Sequence, residues 1–135
     1  MAEQRKAWMF SPGKGSLPGT VKAEVDTKAK ELIETVLKPK HIQPPPEDHQ
    51  LNYVTDITIK WLGSKCYFIS TYRRSPSPYA ISPAFETRFA RMEYVGNLKF
   101  ALSFQQHNSE WVKLHDTLTV DKCMSAIQED PWFVP

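Results

Sequence analysis

Phe85–Phe133, FETRFARMEYVGNLKFALSFQQHNSEWVKLHDTLTVDKCMSAIQEDPWF, is the stretch that decides the fold of this chain. Bulky and polar residues alternate through three runs, interrupted at Gly96-Asn97 and at His107-Asn108-Ser109-Glu110. Successive side chains of a strand point to opposite faces, so an alternating run presents one face to a core. The clearest run is Leu98–Gln106, where Leu98, Phe100, Leu102 and Phe104 share a face against Lys99, Ala101, Ser103 and Gln105. The spacing gives a third strand near Phe85–Val95, a fourth over Leu98–Gln106 and a short fifth over Trp111–His115. The period then changes. Val120, Cys123, Met124 and Ile127 fall at i, i+3, i+4 and i+7, the stripe of an amphipathic helix. Thr119 can cap it, Asp121 suits its positive end, and Pro131 stops it. Trp132 and Phe133 are expected to tuck back against the sheet.

Working upstream, two more runs of period two precede this stretch. Tyr53, Thr55, Ile57, Ile59 and Trp61 share one face of the first, and Leu62-Gly63-Ser64-Lys65 turns the chain. The return strand Cys66–Tyr72 is bulky on both faces, with Cys66, Phe68, Ser70 and Tyr72 opposite Tyr67, Ile69 and Thr71. Residues 73–84, RRSPSPYAISPA, form a long loop with three prolines, the kind of loop that often carries function. Before the sheet, residues 39–50 are a connector stiffened by Pro44-Pro45-Pro46. A first helix is expected over roughly 20–38. Val21, Val25, Ala29, Leu32 and Val36 recur at helical spacing, Thr20 stands as N-cap, and Pro39 disfavours helix at Lys38. Residues 1–19 read as an irregular arm that nevertheless carries Trp8-Met9-Phe10, expected to dock on the core or on a second subunit.

The fold class that follows is α+β: one domain over 20–135 with an antiparallel five-stranded meander, and an N-terminal and a C-terminal helix packed on one face. The chain's 135 residues suit a single domain with a real core. The carboxy-terminal motifs also resemble small bacterial proteins grouped as a domain of unknown function. The features shared are the aromatic-ended strand Met92-Glu93-Tyr94 before a turn, the tryptophan strand at Trp111, and a final helix ending in acid and then aromatic. That resemblance implies the fold and a bacterial source, and no activity. The element order is also similar to the frataxin fold. Frataxins bind iron through acids on their first helix. Here lysines interleave with the acids on that helix, so the likeness is one of topology.

Charge is unevenly placed along the chain. Residues 51–104 hold seven basic groups against three acids, and residues 105–135 hold two against five, within a formal net charge of +2. So mild an excess does not by itself argue for a nucleic-acid partner, and the two signs are expected to complement each other within the chain. There is no signal-peptide core and no apolar run long enough to span a bilayer, so no membrane association is expected. Cys66 and Cys123 have no metal-binding spacing and read as free core thiols of a cytoplasmic protein.

Catalytic signatures do not emerge. His41, His49, His107 and His115 have no pairing suited to a metal, and no nucleophile sits in a recognisable motif. Gly13-Lys14-Gly15 lacks the strand–loop–helix setting of a phosphate loop. No cofactor is expected, and the reading favours a binding protein over an enzyme. The functional candidates are the basic and aromatic residues of the long loop and its flanks: Tyr72, Arg73, Arg74, Tyr79, Arg88 and Arg91. Arginine and aromatics suit acidic protein partners, small ligands and nucleic-acid phosphates and bases. An odd separation puts Arg88 and Arg91 on opposite faces. The same alternation sets Phe85 and Phe89 opposite Met92 and Tyr94, which leaves bulky side chains on the second sheet face and points to a homodimer.

Overall fold

The computed structural model describes residues 16–42, 52–74 and 84–135. The Trp8-Met9-Phe10 arm, Gly13-Lys14-Gly15, the triple proline, His49 and Tyr79 lie outside the described residues. The elements run in the order α1 (Gly19–Leu32), a π turn (Ile33–Leu37), α2 (Lys38–His41), β1 (Tyr53–Leu62), β2 (Lys65–Arg73), β3 (Ala84–Gly96), β4 (Lys99–Gln105), β5 (Trp111–Leu118) and α3 (Val120–Glu129). The strands form one antiparallel sheet in sequence order, a pure meander. Val21, Val25, Ala29, Leu32, Ile33 and Leu37 of the first helical stretch, and Val120, Cys123, Met124 and Ile127 of α3, join Ile57, Cys66, Phe68, Met92, Phe100 and Leu102 in one core. Both helices therefore cover the same face, called inner below.

Three features of the first helix and the strands depart from the sequence reading for clear physical reasons, and β5 runs on to Leu118, past the His115 expected. The N-cap of α1 is Pro18, in an extended conformation, and Thr20 lies inside the helix. Proline ahead of the first turn loses nothing, because the first helical amides have no partner anyway. At the other end the helix does not stop at Lys38. The Lys38 amide donates to the Ile33 carbonyl, five residues back, and helical backbone continues to His41. Pro39 lacks the amide that an α-helical ladder would use and would press its ring on the carbonyl four residues before it. The wide turn ahead of Pro39 shifts those carbonyls and carries the chain past it. Thr35 helps, its hydroxyl donating to the Glu31 carbonyl at 2.7 Å.

The third feature decides which residues face where. The strands carry β-bulges, and each one reverses the in–out alternation beyond it. In β3, Ala90 pairs with Phe68 while Arg88 pairs with Ile69, so Phe89 is an extra residue. Phe89 is consequently buried in the core beside Met92 and Tyr94, its ring 5.9 Å from Phe68. Phe85 stacks on Tyr72 at 5.2 Å. The expectation that Phe85 and Phe89 lie opposite Met92 and Tyr94 is thus corrected. A shift between Val54 and Asp56 in β1 likewise turns Val54 toward the core with Ile57, Ile59 and Trp61, in place of Tyr53 and Thr55.

The hairpins follow turn chemistry. Gly63, with φ of 61°, and Ser64 join β1 to β2. Between β3 and β4 the two loop residues are Asn97 and Leu98, at φ 52° and 60°, one position later than the Gly96-Asn97 expectation. Leu98 accordingly leaves the core face of β4 and is 61% exposed. At α3, Thr119 is the cap expected, its hydroxyl accepting from the Lys122 amide at 3.3 Å. Phe133 is buried as expected, whereas Trp132 is 58% exposed and rests against Phe104 with 5.0 Å between ring centroids.

Polar contacts bind the layers. Trp61 Nε1 donates to Asp26 at 2.7 Å, and Lys22 lies 5.5 Å from the centre of the same ring. Lys38 pairs with Asp56 at 3.2 Å, tying the helix to β1. Lys28 pairs with Asp121 at 2.6 Å, joining α1 to α3. Charge complementarity inside the chain thus runs from the first helix to the last helix and to β1.

Candidate functional site on the outer sheet face

The bulge at Phe89 that buries the phenylalanine also gathers the arginines. Arg88 pairs with Ile69 and Arg91 with Tyr67, and Ile69 and Tyr67 share the face away from the helices. Arg88 and Arg91 are therefore on the same outer face, not on opposite ones. Each guanidinium lies over a ring: Arg88 is 4.7 Å from the centre of Tyr67, and Arg91 is 4.8 Å from the centre of Trp111. The two rings meet each other at 5.7 Å, tilted by 59°.

The sheet register explains how rings from β2 and β5 reach one another. One cross-strand row runs Lys60, Tyr67, Arg91, Ser103, Lys113. Ser103 is small, so Tyr67 and Trp111 can lean over it from either side. Ser103 is 2% exposed, Tyr67 7% and Ile69 4%, although none of them belongs to the helix-side core. The outer face is thus a second, thin packed layer made of rings and guanidiniums. The Arg91 Nε is buried with no hydrogen-bond partner among the protein atoms, so the π-face of Trp111 is its main compensation. By register the face carries seven cations among the described residues, Lys60, Lys65, Arg73, Arg88, Arg91, Lys99 and Lys113, against Asp56, Glu86 and Glu93. Lys113 is paired with Asp116 at 3.7 Å.

The remaining sequence candidates lie elsewhere. Tyr72 is on the inner face, where its hydroxyl donates to the Pro135 carbonyl at 2.6 Å and burial raises its pKa above the usual phenol range. Arg74 lies 4.6 Å from the centre of the Phe85 ring, which stacks on Tyr72. Arg73 is exposed at the end of β2. Of the five described candidates, Tyr72 and Arg74 gather about the Phe85 ring, with Tyr72 reaching the carboxy-terminal segment, Arg88 and Arg91 form the outer pair, and Arg73 stands apart at the strand end. Sequence reasoning missed Tyr67 and Trp111 as partners of the arginines. The available signal was the bulk of Tyr67 on a face that no helix was expected to cover.

Residues 17–135 match the family model described as Domain of unknown function (DUF3024). The chain belongs to that family. No match to it is found among curated proteins or among solved structures. Burial pushes the thiols of Cys66 and Cys123 up to about 12, so both are protonated and inert. Burial and the neighbouring Lys40 hold His41 below the usual imidazole range. Among the described residues no cluster of histidine, cysteine and acidic side chains could hold a metal, and no helix is long and apolar enough to cross a membrane.

Proposed function

We propose that this DUF3024 protein is a non-enzymatic interaction module whose outer sheet face binds an acidic segment of a partner protein. The observation that carries this reading is the Arg88–Tyr67–Trp111–Arg91 cluster on the face away from the helices. Arginine, tyrosine and tryptophan are the residues that dominate protein interfaces, because they combine apolar area with directed polar ends. Each guanidinium lies over a ring, which fixes its position in advance and lowers the entropy cost of pairing with a carboxylate.

Two other occupants are weaker. A nucleic-acid strand would need free ring faces for base stacking, and both rings already carry a guanidinium. A second copy of the chain would bring one net-cationic face against another, and Phe85 and Phe89, which the alternation had set on the second sheet face, lie on the core side. Two buried reduced thiols suit a reducing compartment and thus a cytoplasmic setting.

The test is fluorescence anisotropy with a labelled oligoglutamate peptide, an oligolysine peptide and single-stranded DNA. Oligoglutamate is expected to bind, with affinity that falls as salt rises, and the Arg88→Glu/Arg91→Glu double variant to lose it. Equal binding by the double variant, or tighter binding of DNA than of peptide, would sink the reading. Light scattering at micromolar concentration is expected to give a monomer mass.

A further inference from the structure

The sheet is incomplete at one end. β3 and β4 pair from Arg91 with Ser103 to Gly96 with Lys99, and β4 ends at Gln105. The first half of β3 pairs with β2 alone, so among the described residues no strand lies along its other edge. The β4–β5 turn and the segment after α3 border this gap and leave a crevice of about 280 Å³. Its lining includes the polar Thr87, Arg88, Gln106 and His107 and the aromatic Phe89 and Trp132. None of its lining residues is acidic. Gln105 is held at the rim, its Nε2 donating to the Ser109 carbonyl at 3.1 Å.

We infer that this crevice is a binding site for a small aromatic carboxylate. A sheet edge without a neighbour offers backbone groups that a ligand can satisfy. One guanidinium with amide and hydroxyl groups beside it matches a single carboxylate. The Trp132 ring, largely exposed and resting on Phe104, supplies a stacking wall for a planar group. Inorganic phosphate would leave that wall and Phe89 unused. The volume falls below that of sites for drug-sized molecules and suits a ligand of about ten heavy atoms, for which millimolar affinity is expected. The site lies beyond the partner surface proposed above. It shares only Arg88 with it, and it stands whether or not the outer face binds an acidic segment.

The experiment is a titration of the full chain with phenylacetate, followed by proton–nitrogen correlation NMR. Phenylacetamide, the neutral analogue, and inorganic phosphate serve as comparisons. Saturable shifts are expected at the Trp132 indole and the Gln105 and Gln106 side-chain amides. Trp132→Ala and Arg88→Gln are each expected to weaken binding about tenfold, the size of one lost directed contact. Trp132→Ala leaves the outer cluster intact, so it separates this site from the partner surface. Absence of saturable shifts, equal binding of phenylacetamide, phosphate binding as tight as phenylacetate, or an unaffected Trp132→Ala variant would each overturn the assignment. Both altered residues are exposed, and unchanged resonances elsewhere verify that the variants are folded.

Discussion

The inner and outer faces of this sheet are built from the same five strands and stabilised by different physics. The inner face meets the helices through Phe68, Met92, Phe100 and Leu102, all fully buried, and its stability comes from apolar area removed from water. Among the described residues no helix covers the outer face, yet Tyr67, Ile69 and Ser103 are buried there, beside the Trp111 ring and the guanidiniums of Arg88 and Arg91. A face can be buried without being apolar when cations lie over rings. Apolar contacts hold the inner face, whereas cation–ring contacts hold the outer one.

The sharpest way to break the comparison is to empty one position on each face. Phe68→Ala is expected to destabilise the fold by about 3–5 kcal/mol, since it removes a fully buried ring and leaves a cavity. Trp111→Ala on the outer face is expected to cost about 1–2 kcal/mol, because the ring is half-buried and its contacts are a tilted ring pair and one cation. Urea unfolding measures both. Equal losses would mean that the outer layer is as rigid as the core.

The thiols sharpen the contrast further, because both belong to the inner layer. Their pKa values are raised on folding, so the folded chain keeps protons that the unfolded chain releases. They therefore make no difference to stability below the unfolded value, 9.0, and stability is lost as pH rises above it. The expected loss is about 1.4 kcal/mol per pH unit for each thiol between 9 and the folded value. Unfolding curves at rising pH check this, with the Cys66→Ala/Cys123→Ala protein as reference. In the native protein at neutral pH, neither thiol should react with iodoacetamide.

The element order and the inner face were legible from alternation and helical spacing, because burial on one side of a strand leaves a pattern in the residue types. The outer cluster was not. Its assembly depends on one extra residue in β3, and Phe89 carries no glycine or proline to announce the bulge. Read with strict alternation, the strand separates Arg88 from Arg91. Read with the bulge, it joins them. The passage of helix through Lys38-Pro39 was hidden for a similar reason, since the π turn that permits it is a change in hydrogen-bond register and leaves no mark in composition.

The smallest effect expected lies at the hairpin between β3 and β4. Leu98 holds a left-handed conformation at φ 60° with its side chain in solvent. Leu98→Gly should stabilise the protein by about 1 kcal/mol, because glycine adopts that conformation without steric cost. A lowered midpoint in thermal unfolding would contradict it.

The ion pair between Lys28 and Asp121 joins the first long helix to the last, across 93 residues of chain. Every strand pairing in between is between neighbours in sequence. The hairpins can therefore zip locally and early, whereas closing the helical layer pays for a long loop. During synthesis the inner face of the sheet stays half-covered until α3 has left the ribosome. Folding of this chain is thus completed by its last helix, and a nascent chain stalled before Val120 would expose Phe100 and Leu102 to any chaperone or neighbouring chain within reach.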